Sequence, residues 1–197
     1  MPDITLIGAN DIPGLPEVVE DGSTFHANAV KKAVTLAMQS HLWTIADDSG
    51  LEVDALGGAP GVYSARYAGE SADYAANNTK LLKEMEGLTL RSARFWCVIA
   101  LSSPSGRAQI VEGKCEGQII NELRGKEGFG FDPLFVPEGF SRTFAEMEAA
   151  LKNSISHRAR ALQQAKEKWN ATLASGENEW PRMTSPEQRA RQRRHDS

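Results

Sequence analysis

Two adjacent acids, Asp47 and Asp48, are the residues best placed for chemistry, because they follow an apolar stretch and precede Ser49-Gly50. Residues 42–46 read as a buried strand that the acids interrupt abruptly. A buried strand that ends at the edge of a sheet delivers such carboxylates to a crevice. Mg²⁺ prefers carboxylate and phosphate oxygens, and one or two protein carboxylates suffice when a phosphorylated substrate is bound. The pair therefore predicts a magnesium site, with Glu20 as a further candidate ligand; the alternative is a turn with a capping acid.

A second candidate group, Ser156-His157-Arg158, opens the last helix that the sequence predicts. The first-turn amides and the positive end of the helix dipole favour an anion or a carbonyl oxygen, and Arg158 adds a rigid fork of donors. Cationic side chains are mildly disfavoured at a helix start, so their presence there calls for a reason. The alternative, which is commoner for such a triplet, is a solvated arginine beside an incidental histidine.

A glycine-rich loop carries a third group, Phe129-Gly130-Phe131-Asp132. Glycine lets the backbone approach a ligand, the phenylalanines offer stacking surfaces, and the acid can accept a hydrogen bond from a base N–H. The alternative is that both phenylalanines fill the core and that Asp132-Pro133 starts a turn. Taken alone, the loop is weak evidence for a nucleotide site.

Strands and helices that position these groups alternate along the chain. The predicted strands are residues 4–7, 42–46, 95–101, one or two strands within 109–120, and 134–136. The first predicted helix begins after Ser23 or Thr24 and ends near Ser40, the second runs from Ser71 to Gly87, and the last begins at Ser156. On the first helix Asn28 and Lys32 share a face. This interleaving predicts an α/β or α+β sheet packed by helices.

Composition favours one globular domain, because 197 residues with 41% hydrophobic content can bury a substantial core. No stretch approaches the ~20 apolar residues of a membrane span, and the first ten residues lack the layout of a signal peptide. We therefore expect a cytoplasmic protein without membrane contact. Cys97 and Cys115 are too few for a disulfide framework or a zinc cage and are expected to be reduced core residues.

Charge is unevenly distributed, although the net charge of −4 gives no global attraction for nucleic acid. The first thirty residues carry five acids and no lysine or arginine, whereas residues 182–197 hold five arginines against two acids. Helical periodicity fades after Trp169, which predicts a domain over residues 1–169 and a polar, arginine-rich tail over 170–197. A solvated, disordered tail is favoured over a nucleic-acid contact, so no stable nucleic-acid binding is expected.

Considered together, the motifs resemble those of the inosine triphosphate (xanthosine triphosphate) pyrophosphatase family. The matching strings are Pro13-Gly14-Leu15-Pro16-Glu17, Glu20-Asp21-Gly22, Thr24-Phe25, Asn28-Ala29, Ala46-Asp47-Asp48-Ser49-Gly50-Leu51-Glu52-Val53, Leu56-Gly57-Gly58-Ala59-Pro60-Gly61-Val62-Tyr63-Ser64-Ala65-Arg66-Tyr67, Phe129-Gly130-Phe131-Asp132-Pro133, Thr143-Phe144-Ala145-Glu146-Met147 and Ser156-His157-Arg158. The resemblance implies a mixed, twisted central sheet flanked by helices, with the active site in a central cleft. It also implies a homodimer.

The activity that the resemblance implies is Mg²⁺-dependent hydrolysis of ITP, dITP and XTP to the monophosphate and pyrophosphate. In such a site Asp48 is the proton acceptor, Glu20 and Asp48 bind the metal ion, and Asp47 supports the same site. The residues expected to contact substrate are Lys32, Ser49 and Lys152 near the phosphates, and Phe129, Gly130, Phe131, Asp132, His157 and Arg158 around the base. Phosphoryl transfer needs mainly positioning and charge neutralisation, which this set can supply.

One departure from the family pattern concerns a Thr/Ser-x-Asn-x-x-Lys loop that relatives carry well before the Pro13–Glu17 string. Only Gly8-Ala9-Asn10 resembles it here, and no lysine precedes Lys31. We therefore expect a core strand and some phosphate contacts to be missing, with weak binding of triphosphates and slow turnover. Two alternatives stay open: a catalytically disabled nucleotide-binding relative, and an enzyme of similar fold for modified pyrimidine nucleotides.

Overall fold

The computed structural model describes residues 4–69 and 73–181, and residues 1–3, 70–72 and 182–197 lie outside this description. The α-helices are α1 (Phe25–Ser40), α2 (Tyr74–Glu84), α3 (Ala149–Ile155) and α4 (His157–Ala174), and the strands are β1 (Thr44–Val53), β2 (Ser92–Ser102), β3 (Ala108–Ile119) and β4 (Phe135–Pro137). Short 3-10 helices occupy Ala9–Asp11, Asp54–Leu56, Gly61–Arg66 and Phe144–Glu146. Among the described helices, none has the length and apolar character needed to cross a membrane.

One sheet organises the molecule, with strand order β1-β2-β3-β4 and helices on both faces. The predicted α/β architecture is therefore confirmed. Every pairing in the described sheet is antiparallel, so the parallel pairs that a mixed sheet requires are not found in this part of the chain. For β2 and β3 the short turn of residues 103–107 requires this, because parallel neighbours need a crossover of a dozen or more residues.

Helix α1 covers one face of the sheet at β1 and β2. It begins as predicted after Thr24, whose Oγ1 accepts a hydrogen bond from the Ala27 amide at 3.1 Å. Ala29, Ala33 and Ala37 are fully buried against the sheet. Since alanine has the smallest apolar side chain, the helix can lie close to the strands, and its neighbouring polar residues come within reach of β1.

Helix α4 lies on the other face, against β2 and β3. Ser156 caps it as predicted, accepting a hydrogen bond from the Ala159 amide at 3.3 Å. The approach is close at Gly113, where a Cβ would lie 2.3 Å from the carbonyl oxygen of His157. Glycine at position 113 therefore allows the first turn of α4 to rest on β3.

Cys97 and Cys115 are buried and free of disulfides, as predicted, and burial raises the pKa of their thiols to about 12 and 11.

Two strand predictions are wrong, one because no strand forms and one in its limits. Residues 4–7 form no strand, and Ile4, Leu6 and Ile7 are exposed, since nothing in the described chain pairs with them. The strand predicted at 42–46 begins at Thr44 and continues through the two acids to Val53. Pairing with β2 over its whole length holds β1 extended there, although acids and glycine disfavour strands on their own.

Helix α2 is shorter than predicted at both ends. Ser71, the predicted start, lies outside the described residues; Asp73 caps the helix by accepting hydrogen bonds from the amides of Ala75 and Ala76. Its last residue is Glu84, whereas the predicted helix ended at Gly87. Asp73 supplies a strong side-chain acceptor immediately before the first helical turn, which explains the observed start.

Helical structure continues beyond residue 169, the predicted end of the domain. Helix α4 continues to Ala174, and Trp180 is 4% exposed. The Trp180 ring packs edge-on against Trp43 at 4.8 Å, and its Nε1 donates to the Arg107 carbonyl at 2.7 Å. A single aromatic anchor in a polar segment gives no periodic signal, so the sequence pattern missed it. The arginines predicted to form a solvated end lie outside the described residues.

Candidate functional site

Strand β1 presents its two acids to opposite faces of the sheet, as side chains of consecutive strand residues must. Asp48 points towards α1, where Asn28 contacts it, whereas Asp47 points towards α4 and pairs with Arg158 at 3.2 Å. Asp47 therefore does not share the environment of Asp48, contrary to the expectation that it supports the same metal site. Ser49, two residues after Asp47 on the strand, lies on the same face and also points towards α4.

Asp48 is a buried carboxylate, 9% exposed, on the α1 side of the sheet. Its Oδ2 accepts a hydrogen bond from Asn28 Nδ2 at 3.0 Å, and its Oδ1 lies 3.8 Å from Lys32 Nζ. Burial raises the pKa of Asp48 to about 6, against the lowering effects of the Asn28 bond and the Lys32 charge. A carboxyl with such a pKa is ionised at neutral pH and is still basic enough to accept a proton.

Glu20 joins this group from the loop before α1. Its Oε1 lies 2.8 Å from Lys32 Nζ, and its carbonyl oxygen accepts a hydrogen bond from Arg66 Nη2 at 3.1 Å. The negative charge of Glu20 also contributes to the raised pKa of Asp48. The structure thus brings together Glu20, Lys32 and Asp48, which lie far apart in sequence. We refer to these three residues with Asn28 as the carboxylate cluster.

The donor atoms of the carboxylate cluster suit a hard cation. Two carboxylates face one lysine, and the described residues include no group of three His, Cys, Asp or Glu side chains that could enclose a metal ion. Mg²⁺ is usually held by one or two carboxylates together with water and substrate phosphates, not by an all-protein cage. Glu20 and Asp48 therefore fit a Mg²⁺ ion shared with a phosphorylated substrate.

Arg158 connects the other face of β1 with the glycine-rich loop. Its Nε donates to Asp47 at 3.2 Å and its Nη2 to Ser49 Oγ at 3.1 Å. The Cζ atom lies 5.3 Å from the centre of the Phe129 ring, within the range of a cation–π contact. The predicted residues Ser49, Phe129 and Arg158 are therefore neighbours, and we call this group, with Lys152 and Asp132, the aromatic pocket.

Asp132 holds the loop of the aromatic pocket in shape. Its carboxylate accepts a hydrogen bond from the Phe129 amide at 2.8 Å and forms an ion pair with Lys152. It is 3% exposed, and a Cβ at Gly128 would lie 2.1 Å from its Oδ2, so glycine is required there. Lys152 Nζ also lies 5.0 Å from the centre of the Phe129 ring. Asp132 and Lys152 thus fix the orientation of Phe129.

The two phenylalanines of the loop differ in what they can contact. Phe129 is 51% exposed and offers an aromatic face to a ligand, whereas Phe131 is 2% exposed and packs in the core beside Tyr67. Between them the Gly130 carbonyl accepts a hydrogen bond from Asn78 Nδ2 at 2.9 Å. The side chain of Phe131 therefore supports the loop from beneath, and Phe129 is the stacking candidate.

His157 lies beneath the aromatic pocket, not at its surface. It is 6% exposed, and its ring stacks on Phe95 with centroids 4.8 Å apart and an interplanar angle of 12°. Burial lowers its pKa to about 3, so the imidazole is neutral at physiological pH. Its Nδ1 has no hydrogen-bond partner among the described residues. Of the triplet that opens α4, Arg158 is the side chain that reaches the exposed site.

Sequence reasoning missed several residues that hold the site in place. Asn78 supports the Gly130 carbonyl, Arg66 supports the loop at Glu20, and Asn28, assigned only to a helix face, contacts the Asp48 carboxylate. Consecutive asparagines at 77 and 78 inside a helical segment were a usable signal, because asparagine is a poor helix former and calls for a tertiary reason. No comparable signal distinguishes Arg66.

Comparison with known proteins identifies the family. The sequence profile of the Ham1 family matches residues 2–168. A dITP/XTP pyrophosphatase of Desulforamulus reducens is 54% identical over 164 residues, which cover 82% of each chain, and one of Shouchella clausii is 54% identical over 159 residues, or 80% of each. The solved structure of the Staphylococcus aureus Ham1 protein has a TM-score of 0.81 and 40% identity, covering 84% of this chain and 86% of its own.

The profile match spans the strand with the acids, the glycine-rich loop and the start of α4, so it includes both parts of the site. The resemblance that the motifs predicted is thereby confirmed. With a profile match over residues 2–168 and relatives more than half identical, this chain belongs to the Ham1 family.

Proposed function

We propose that this protein hydrolyses the non-standard purine nucleoside triphosphates dITP, ITP and XTP to the monophosphate and pyrophosphate. Such an activity removes these nucleotides before they enter DNA and RNA. The names of the relatives from D. reducens and S. clausii, both dITP/XTP pyrophosphatases, support the substrate class. The observation that carries the proposal is the junction on β1, where the buried Asp48 adjoins Ser49, which binds the arginine of the aromatic pocket.

Asp48 is the proton acceptor in this proposal. A water molecule attacks the α-phosphorus, an O–P bond forms, and the bond from the α-phosphorus to the bridging oxygen breaks to release pyrophosphate. The water proton passes to the Asp48 carboxylate, which acts as the general base. The hydrogen bond from Asn28 leaves Oδ1 of Asp48 as the oxygen that faces Lys32.

Neutralisation of the phosphates falls to Mg²⁺ and to lysine. Mg²⁺ bound by Glu20 and Asp48 would polarise the phosphate oxygens and offset the negative charge that the reaction concentrates there. Lys32 lies with its Nζ 2.8 Å from Glu20 and 3.8 Å from Asp48, and its flexible side chain can turn the ammonium group to a phosphate oxygen. Ser49, the residue after Asp48, is the candidate phosphate contact on the side of β1 that faces Arg158.

Selection of the base falls to the aromatic pocket. Phe129 stacks on the purine, and Arg158 together with loop amides donates hydrogen bonds to the 6-oxo group of hypoxanthine or xanthine. The 6-amino group of adenine would leave those donors unpaired, and such a mismatch is worth up to about 10⁴ in discrimination. Guanine shares the 6-oxo edge, so its rejection depends on the surroundings of its 2-amino group.

Pyrophosphate release on dITP, ITP, XTP, GTP, ATP and dUTP, with and without Mg²⁺, tests the proposal. We expect release from the first three substrates, in the presence of Mg²⁺ only. Preference for dUTP would point to the pyrimidine alternative. Nucleotide binding without release on any substrate would identify a catalytically disabled relative. A homodimer, a cytoplasmic location and the lack of stable nucleic-acid binding stay predictions.

A further inference from the structure

Asn28 is a buried polar residue that joins two separate parts of the carboxylate cluster. It is 1% exposed, on the face of α1 that meets β1. Its Nδ2 donates to Asp48 Oδ2 at 3.0 Å, and its Oδ1 accepts from the Gly22 amide at 2.7 Å. One side chain therefore links the strand that carries Asp48 to the loop that carries Glu20.

The orientation of the Asn28 amide is fixed by these two partners. A carboxylate only accepts hydrogen bonds and a backbone N–H only donates them, so a flipped amide would face two like groups. The Asn28 amide therefore has one possible orientation, in which its Nδ2 donates to the Asp48 carboxylate and its Oδ1 accepts from the loop. Removing either end leaves a buried polar group unpaired, which is costly in a desolvated site.

Gly22 makes this connection possible because it lets the loop approach α1. A Cβ at position 22 would lie 2.6 Å from Asn28 Oδ1 and 2.9 Å from the Ala27 Cβ, both closer than such atoms normally come. Gly22 follows Glu20 by two residues, and the Glu20 carboxylate contacts Lys32 one helical turn after Asn28. The position of the loop is thus set from α1 at two adjacent points.

We propose that Asn28 is a positioning residue that sets the separation of the Glu20 and Asp48 carboxylates, so that both can bind one divalent cation. This inference rests on the proposed function, because it concerns the same carboxylate cluster. Lys32 cannot fulfil the role alone, because its flexible ammonium group can turn to a phosphate, whereas the Asn28 amide is buried and bonded at both ends. Loss of such an outer partner typically reduces metal affinity or activity about 10- to 100-fold.

The test compares Asn28→Leu, which keeps the side-chain volume without the amide, with Gly22→Ala, which leaves Asn28 in place and displaces the loop. Asn77→Leu is the matched control, because Asn77 is equally buried but bonds only backbone atoms of residues 64, 65 and 68. Three measurements are made well below each melting temperature. They are Mn²⁺ binding without nucleotide by electron paramagnetic resonance, kcat and KM for dITP against Mg²⁺ concentration, and hydrogen exchange of the Gly22 amide.

We expect both site variants to bind Mn²⁺ about tenfold or more weakly, to need correspondingly more Mg²⁺ for half-maximal velocity, and to lose kcat by about 10- to 100-fold with little change in KM. The Gly22 amide should exchange faster in Asn28→Leu. Asn77→Leu should lose thermal stability while keeping wild-type Mn²⁺ binding. Unchanged Mn²⁺ binding in both site variants would overturn the proposal, even where dITP hydrolysis by the wild type upholds the proposed function. If the wild type hydrolyses no substrate, the proposed function fails, and Mn²⁺ binding and Gly22 exchange still decide the role of Asn28.

Discussion

The carboxylate cluster and the aromatic pocket lie on opposite faces of β1 and are built differently. Asp48 and Asn28 are buried, and the cluster is held by charged and amide groups that contact one another directly. The pocket exposes half of Phe129 and relies on a loop fixed by Asp132. The desolvated face suits bond breaking, for which electrostatic interactions must be strong, and the open face suits recognition of a flat base.

The largest effect should follow Asp48→Asn, which removes the proton acceptor without changing side-chain size. We expect kcat for dITP to fall by about 10²- to 10⁴-fold, the usual contribution of a general base. Asp47→Asn, one residue away on the other face, should lower kcat by less than about tenfold. Steady-state pyrophosphate release measures both. Equal losses would show that the two faces are not functionally separate.

Phe129→Ala should weaken substrate binding and leave the chemical step intact. Aromatic stacking on a base is worth about 1–3 kcal/mol, so KM for dITP should rise roughly 5- to 150-fold while kcat stays within about threefold. Phe140→Ala removes another partly exposed phenylalanine, outside the pocket, and should change neither constant. A fall in kcat with unchanged KM would contradict the assignment of Phe129 to base binding.

Arg158→Lys should reduce selectivity more than rate, because lysine keeps the charge and loses the planar fork of donors. We expect the ratio of kcat/KM for dITP to that for dATP to fall about tenfold, or ~1.4 kcal/mol. Arg160→Lys, two residues further along α4 and bonded to the Lys114 carbonyl, is the matched control. If both variants keep the wild-type ratio, Arg158 does not read the base.

The last prediction concerns stability in acid, not activity, and the neutral His157 beneath the pocket. Its folded pKa of about 3 lies below the usual 6.5, so between these values the unfolded chain takes up a proton that the folded chain does not. This contribution to stability is complete above pH 6.5 and is lost as pH falls towards 3, at up to about 1.4 kcal/mol per pH unit. His157→Phe should flatten the dependence of unfolding free energy on pH in denaturant titrations. His41→Asn, at an exposed histidine, should leave the dependence as in the wild type; a wild-type slope in His157→Phe as well would refute this cause.

Local patterns predicted much of the fold. The helical stripe and cap predicted α1 within one residue of its observed start, and an apolar run predicted the centre of β2. Patterns failed where long-range pairing decides the outcome. Residues 4–7 look like a strand and have no partner in the described part of the chain, while the acids of β1 look like a break and are held extended by β2. The sequence pattern missed the burial of Trp180 for a similar reason, since the residues that it contacts are distant in sequence.

The sequence by itself determined which residues are capable of chemistry, because motif identity depends on residue type and spacing alone. Through the family resemblance it named Glu20 and Asp48 as metal ligands, Lys32 as a phosphate contact, and Phe129 and Arg158 as base contacts; the structure brings the first three together and the last two together. Only the tertiary structure decided on which face of β1 each side chain lies and which side chains are exposed. Strand alternation sends Asp47 away from Asp48, burial withdraws His157 and Phe131 from the surface, and helix packing brings Asn28 to the carboxylate. Direction and burial arise from contacts between distant segments, and no single stretch of sequence encodes them.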